Sequence, residues 1–158
     1  MPTGPRLLLE SACYHIITRG NQKQTVFLES QDYEKYLHIL AKYKKRYKFG
    51  LYCFCLMPNH IHLIIQVDNP LRLNKVMRGL NLSYTLYFNS KYNKVGHLWQ
   101  DRFKSRVIDK DSYLLECINY IEANPLRGSL VLHLHEYKWS SYNLRGTNNV
   151  LLDNLFSF

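Results

Sequence analysis

Two histidines lie one residue apart in the segment MPNHIHLIIQ, residues 57–66, at the start of an apolar run. Alternate residues of a β-strand project from the same face, so His60 and His62 point one way while Ile61 and Leu63 point the other. Two imidazoles on one face can bind the same metal ion. Such a pair also occurs as two polar residues on a half-exposed strand, so by itself it is weak evidence for a metal site.

A tyrosine and an asparagine lie four residues apart near the end of a predicted helix, at Tyr120 and Asn124. They share a helix face with Tyr113 and Cys117, away from an apolar stripe that consists of Leu114, Ile118 and Ile121. An amide oxygen at Asn124 could complete the coordination that two imidazoles leave open, with the phenol beside the ion. The alternative is an amphipathic tyrosine at a helix margin and an asparagine that caps the helix.

Hydrophobic periodicity indicates the elements that must position these side chains. It predicts a strand over residues 13–19, a helix over 31–48 capped by Ser30, strands over 51–56 and 61–67, a helix from Asn69, a strand over 102–108, and a helix from Asp111 to about Asn124. This β-α-β-β-α-β order predicts an α+β, ferredoxin-like (RRM-like) fold, with an antiparallel sheet of four or five strands and helices on one face. The other face is expected to be free for a ligand.

The composition fits one soluble nucleic-acid-binding domain. The 158 residues carry a net charge of +9, and a pI of about 9.4 favours a polyanionic partner. The prediction is a single domain over 1–158, with a core over about 13–125 and a C-terminal extension over 126–158. The sequence shows neither a secretion signal nor an apolar run of membrane-span length, which predicts a cytoplasmic, nucleoid-associated location without membrane contact.

Cationic and amide side chains indicate where single-stranded DNA could bind, because its backbone requires positive charge. One group extends the end of the first strand and consists of Arg19, Asn21 and Lys23. A second group alternates along the strand before the tyrosine helix and consists of Arg102, Lys104 and Arg106. A lysine-rich cluster over residues 42–48 is more typical of a solvated helix end.

Several separated motifs resemble those of the single-tyrosine HUH transposases. His60-Ile61-His62 is similar to the HUH motif, in which a hydrophobic residue separates two histidines, and YIEANPLR (residues 120–127) is similar to the family's tyrosine helix. The match is closest to the REP-associated branch, which also has asparagine where insertion-sequence enzymes usually have glutamine. The resemblance covers roughly residues 13–142 and includes YHIITRGN (14–21), HLWQDRFK (97–104) and WSSY (139–142).

The resemblance implies a metal-dependent transposase that cleaves and rejoins single-stranded DNA. It implies that Mg²⁺ or Mn²⁺ is held by His60, His62 and Asn124, and that the tyrosine helix lies against the active-site side of the sheet. Tyr120 would attack the scissile phosphate and form a 5′-phosphotyrosine link with a free 3′-OH. A phenol ordinarily has a pKa of about 10, so the nucleophile requires activation, and the sequence identifies no general base. The REP-associated branch recognises a DNA hairpin, which is the expected partner.

Two rival interpretations remain open at this point. A zinc module built from Cys53, Cys55, His60 and His62 has poor ligand spacing. A non-catalytic, RRM-like protein that stacks single-stranded nucleic acid on its sheet requires no reactive tyrosine. The oligomeric state, monomer or homodimer, is undecided, with a dimer slightly favoured.

Overall fold

Four antiparallel strands form the sheet of the computed structural model, which describes residues 12–109 and 111–155. The strands are β1 (Ala12–Arg19), β2 (Gly50–Met57), β3 (His60–Val67) and β4 (Lys104–Ile108), in the order β2-β3-β1-β4. The helices are α1 (Ser30–Tyr47), α2 (Pro70–Tyr92), α3 (Asp111–Glu122) and the short α4 (Asn124–Arg127). The order of the elements up to β4 confirms the predicted ferredoxin-like fold.

One face of the sheet is packed under α1 and α2. Along β3, Ile61, Leu63 and Ile65 belong to a buried cluster with residues of both helices. Since these residues alternate with His60 and His62, the period-two pattern of the sequence sets which face of the strand is apolar. The two histidines therefore project from the face that α1 and α2 leave uncovered.

The opposite sheet face is only partly free, which corrects the expectation of an open face. Ile118 and Ile121 of α3 are buried against a group on β2 and β3 that includes Cys53, Cys55 and Ile64. The apolar stripe of α3 needs a hydrophobic partner, and the small side chains of β2 provide one. The prediction that the tyrosine helix lies against the active-site side of the sheet is confirmed.

The segment that follows α4 protects the outer edge of β2. Asp153 and Leu51 exchange two hydrogen bonds, and the backbone nitrogen of Leu56 donates to the carbonyl of Trp139 at 2.8 Å. An edge strand presents unpaired backbone groups, and this segment satisfies several of them. No secondary structure is predicted from the sequence for this part of the chain.

The predicted cap of α1 is wrong, whereas the predicted end of the tyrosine helix at about Asn124 agrees with the structure to within two residues. Glu29, not Ser30, is the N-cap of α1, and Asp32 completes a capping box with it. α3 ends at Glu122, and the chain then forms the separate turn α4, in which Pro125 occupies the first turn. Proline has no backbone N–H to donate, and the first turn of a helix is where that loss is tolerated.

Helices that could cross a bilayer are absent from the described residues, none being both long and apolar enough.

Candidate active site

Strand register brings the candidate residues of three strands onto one sheet face. Ile17 of β1 pairs with His62 on one side and with Lys104 on the other, and Arg19 pairs with His60. Directly paired residues of an antiparallel sheet project to the same face. The histidine pair, Arg19 and the cations of β4 therefore share one surface.

This surface and the exposed face of α3 enclose a cleft of about 1180 Å³. His60 and His62 lie on the sheet side of the cleft, and Tyr120 and Asn124 lie on the helix side. Other residues that line it include Lys104, Arg106, Tyr113, Glu116 and Cys117. The structure thus brings the four predicted metal and nucleophile residues together within a single chain.

Hydrogen bonding defines the protonation pattern of His60. Its Nδ1 atom lies 2.7 Å from the side-chain oxygen of Asn59. An amide oxygen only accepts, so Nδ1 carries the proton and Nε2 keeps its lone pair. This is the state that a histidine needs in order to bind a metal through Nε2.

His62 has a different partner, a third histidine. Its Nδ1 atom lies 2.9 Å from Nε2 of His15, and the two rings stack with centroids 5.2 Å apart. The rings of His60 and His62 meet edge to face at 5.0 Å. His15 was part of a recognised motif, but the sequence assigned it no role.

All three imidazoles are held neutral. Burial, with a smaller contribution from the charge of Arg106, lowers the pKa of His15 to about 4. Burial and then Arg19 lower the pKa of His60 to about 4. Burial, followed by the neighbouring histidines, lowers the pKa of His62 to about 3. Neutral rings at pH 7 offer lone pairs, which is the form that binds metal.

The phenol of Tyr120 is accessible from the cleft. Its side chain is 56% exposed, although it belongs to a helix that packs on the sheet. The guanidinium carbon of Arg127 lies 3.9 Å from the centroid of its ring. An Arg127 nitrogen also donates to the side-chain oxygen of Asn124 at 2.5 Å. Tyr120, Asn124 and Arg127 therefore form one cluster at the end of α3.

The side chains of His60, His62 and Asn124 fit a divalent cation. No group of three or more His, Cys, Asp or Glu side chains with the geometry of a metal site occurs within residues 12–109 and 111–155. A cation at the histidine pair would therefore take its further ligands from an amide or from water. The Asn124 amide faces the same cleft, and its oxygen, which accepts one hydrogen bond from Arg127, has a second lone pair that a cation could use. Two imidazoles and one amide oxygen are a suitable donor set with open positions.

The six predicted DNA-binding residues fall into three places. Lys104 and Arg106 are exposed on β4 and line the cleft itself. Arg102 precedes β4 in a bend, not in the predicted strand, and lines a small adjacent pocket with Arg19. Asn21 and Lys23 lie on the loop that follows β1.

The loop after β1 is fixed by its own backbone contacts. Gly20 is packed so closely that a Cβ atom would approach the carbonyl oxygen of Gln24 to 2.4 Å. Gln22 and Lys23 both adopt left-handed φ angles, of 53° and 59°, which are costly for residues other than glycine. The backbone nitrogen of Asn21 donates to the carbonyl of Leu98 at 2.8 Å. The loop therefore presents its polar side chains from a defined conformation.

The zinc alternative has no support in this geometry. The thiol of Cys53 contacts Glu122 and Ser141, and Cys55 is fully buried in the same cluster. Burial raises the pKa of Cys55 to about 12 and that of Cys53 well above its ordinary value. A thiol must lose its proton to bind zinc, so these cysteines act as small apolar residues.

The family model for IS200-like transposases matches residues 9–124 of the sequence. This chain belongs to the IS200-like transposase family. A Haemophilus influenzae protein assigned as a REP-associated tyrosine transposase is 28% identical over 115 residues. The match covers 63% of the present chain. It spans 62% of the length of this curated relative.

Two solved structures share the fold of the IS200-like chain. A REP-associated tyrosine transposase bound to a REP hairpin superposes with a TM-score of 0.75 at 18% identity, covering 100% of this chain and 95% of that one. A Deinococcus radiodurans protein assigned as a transposase gives a TM-score of 0.52 at 17% identity, covering 77% of this chain and 96% of that one. The family model confirms the predicted family of transposases, and the first structure confirms the predicted fold.

Proposed function

We propose that the chain is a metal-dependent transposase that cleaves and rejoins single-stranded DNA through a phosphotyrosine intermediate. One observation carries the proposal: Tyr120 and Asn124 line the same cleft as His60 and His62 within one chain. A phenol that faces two neutral imidazoles and a row of cations is arranged for attack on a phosphate. Membership of the IS200-like family supports the same reaction.

Tyr120 is the residue that reacts with the DNA strand in this proposal. Tyr120 supplies the nucleophilic oxygen, and its exposure lets a DNA strand approach it. The bond that forms joins this oxygen to phosphorus, and the bond that breaks releases the 3′-oxygen of the neighbouring nucleotide. Because the phosphotyrosine link keeps the energy of a phosphodiester, the released 3′-OH can attack it and rejoin the strand.

His60, His62 and Asn124 would hold the cation, Mg²⁺ or Mn²⁺. When bound, the cation supplies Lewis-acid polarisation of the scissile phosphate. The two imidazole nitrogens suit Mn²⁺ better than Mg²⁺, which prefers oxygen ligands. His15 fixes the orientation of His62 through the 2.9 Å hydrogen bond between their rings.

The partner we propose is single-stranded DNA next to a hairpin. Lys104 and Arg106 give the cleft a cationic wall on the β4 side. Arg19 and the loop after β1 continue the positive surface, and this loop is where Asn21 and Lys23 lie. A relative of the same fold is a REP-associated tyrosine transposase bound to a REP hairpin, which supports a hairpin as the recognised element.

The decisive experiment looks for the covalent intermediate. Labelled hairpin oligonucleotides with single-stranded flanks are incubated with the protein, with Mg²⁺, Mn²⁺ or chelator, and separated on a denaturing gel. The expected result is a metal-dependent adduct that is lost in Tyr120→Phe, while oligonucleotide affinity is unchanged. Tyr113→Phe is the matched control, because Tyr113 lies on the same face of α3 and lines the same cleft.

The rival interpretation, a non-catalytic binding protein, makes the opposite prediction. It expects oligonucleotide binding without any adduct, and no effect of Tyr120→Phe beyond that of Tyr113→Phe. An adduct that persists in Tyr120→Phe would exclude this tyrosine as the nucleophile. Equal affinity for hairpin and unstructured oligonucleotides of the same length would exclude hairpin recognition.

A further inference from the structure

We propose that Arg127 is a further residue of the active site, which positions Tyr120 and Asn124 and binds the scissile phosphate. The assignment rests on the function proposed above. It begins from three contacts of one side chain. Its Nη2 atom donates to the backbone carbonyl of Tyr120 at 2.6 Å and to the side-chain oxygen of Asn124 at 2.5 Å. Its guanidinium carbon lies 3.9 Å from the centroid of the Tyr120 ring.

The break between α3 and α4 places Arg127 over the end of the tyrosine helix. α3 stops at Glu122, and α4 restarts at Asn124 with Pro125 in its first turn. The backbone nitrogen of Arg127 donates to the carbonyl of Ala123 at 3.2 Å, so the turn is closed by its own hydrogen bond. The side chain then reaches back over Tyr120 instead of continuing along a straight helix.

These contacts fix the two groups that must act together. A guanidinium stacked on a phenol restricts rotation of the ring and holds a positive charge beside it. The bond to the amide oxygen holds Asn124 in the same cluster. A lysine could supply the charge and donate hydrogen bonds, but it offers neither the planar stack on the ring nor further donors on separate nitrogens.

Arg127 also has donors left for a substrate. Its side chain is exposed, and the hydrogen bonds it makes with the described residues use only Nη2. A guanidinium presents five N–H donors in one plane and binds phosphate oxygens through two of them. A phosphate that reaches the Tyr120 oxygen comes next to this group, because the guanidinium already contacts the Tyr120 ring.

Arg127 would act during the phosphoryl transfer from the DNA strand to Tyr120. The Tyr120 oxygen bonds to phosphorus as the bond between phosphorus and the 3′-oxygen breaks. The phenol loses one proton and the leaving 3′-oxygen gains one, so no net charge is created. Arg127 stays protonated throughout and offsets the negative charge on the non-bridging phosphate oxygens.

The test compares three variants in the complete chain, with the rate of adduct formation measured at saturating oligonucleotide. Loss of one transition-state donor costs about 100-fold or more in rate, so Arg127→Gln should slow the adduct to that extent. Its oligonucleotide affinity should change by less than about threefold, since one phosphate contact among many is lost. Arg127→Lys should recover part of the rate. Arg78→Gln, an exposed arginine on α2, should behave as wild type.

A neutral substrate separates phosphate binding from a purely structural role. A methylphosphonate at the scissile position carries no negative charge, so a cation opposite it has less to stabilise. The rate ratio between wild type and Arg127→Gln should fall from about 100 to below about 10 on this substrate. Thermal unfolding of each variant checks that the fold is retained.

Three outcomes would overturn the assignment. Arg127→Gln could form the adduct as fast as wild type, or Arg127→Lys could be no faster than Arg127→Gln. The rate ratio could also be as large on methylphosphonate as on the natural linkage, which would limit Arg127 to a structural role. If wild type itself forms no adduct with any oligonucleotide, the proposed function fails and this assignment fails with it.

Discussion

The Nε2 atom of His15 lies 2.9 Å from the Nδ1 atom of His62, across the pairing of β1 with β3. If His62 binds a cation through Nε2, its Nδ1 must carry the proton and donate it to His15. Hydrogen bonds of this kind fix the tautomer and the ring orientation of metal-binding histidines. His15 is therefore a third imidazole beside the pair formed by His60 and His62.

Replacing His15 should weaken metal binding without removing a ligand. In His15→Leu, Nδ1 of His62 loses its acceptor, and losses of about 10- to 100-fold in metal affinity follow such changes. Isothermal titration with Mn²⁺ measures the effect directly in the absence of DNA. His38→Leu is the control, because His38 is an exposed histidine on α1. Equal Mn²⁺ affinity in His15→Leu and wild type would show that the ring contact has no role in metal binding.

The cations of β4 should set part of the salt dependence of DNA binding. Each phosphate contact to a single strand contributes about 0.7 to the slope of log affinity against log salt concentration. Lys104→Gln and Arg106→Gln should each reduce that slope by about this amount. Lys42→Gln and Lys45→Gln remove the same charge from exposed positions on α1 and should leave the slope unchanged. If the slope fell equally in the β4 variants and in the α1 variants, the cations would act through a diffuse electrostatic effect and not through contacts in the cleft.

The sequence was sufficient to predict which strand face carries the histidines. Ile61 and Leu63 alternate with His60 and His62, so a strand that packs the two apolar residues under α1 and α2 must place both histidines on its other face. The face of α3 that carries Tyr120 was predicted in the same way, because Ile118 and Ile121 form the buried stripe. Local periodicity thus determines both halves of the cleft.

The partners of these residues could not be predicted from local patterns. His15 is 47 positions away from His62, and only the pairing of β1 with β3 makes them neighbours. Arg127 lies seven residues after Tyr120, which is a same-face helical spacing, but Pro125 predicted that the helix had already ended. The short helix α4, which follows Glu122, brings Arg127 back toward the helix face that carries Tyr120. Contacts that depend on strand order or on a helix break are therefore set by the tertiary fold.

Acid should weaken the junction between α1 and α2 through Asp32. This carboxylate is fully buried and accepts hydrogen bonds from Lys91 and Tyr92. Burial alone raises the pKa of Asp32, but the hydrogen bonds outweigh it, so the pKa falls below its ordinary value. A carboxyl with a lowered pKa stabilises the fold above its unfolded pKa, and this contribution is lost as the pH falls through the folded pKa.

The variant Asp32→Asn tests this linkage. Asp32 is buried but Lys91 is partly exposed and also pairs with Glu29, so the change removes charge-assisted hydrogen bonds from Asp32 and should lower the free energy of unfolding at pH 7 by about 2 kcal/mol. The gap between wild type and variant should narrow as the pH falls below about 4, the pKa of the unfolded carboxyl, and further as it passes through the lower pKa of the folded carboxyl. Urea unfolding at pH 7 and at a series of lower pH values measures both free energies. A gap that is constant with pH would mean that the charge of Asp32 contributes no stability.

The tyrosine should act on the histidines of its own chain. Glu122, at the end of α3, is buried and accepts hydrogen bonds from Ser141 and from Arg145, each at 2.5 Å. Arg145 also donates to the backbone carbonyl of Tyr52 on β2 at 3.0 Å. The end of the tyrosine helix is therefore tied to the sheet and to the C-terminal segment of the same chain. Exchange of this helix between two subunits would have to break these contacts and form the same ones again in the other subunit, so it would gain no hydrogen bond.

A mixing experiment distinguishes the two arrangements. Tyr120→Phe retains both histidines, and the double variant His60→Ala, His62→Ala retains the tyrosine. Neither should form an adduct alone, and their mixture should form none either, because each chain lacks one half of its own cleft. The two variants are also refolded together, so that helices can exchange even if exchange between folded chains is slow. An adduct in the refolded mixture would show that Tyr120 works with the histidines of a neighbour.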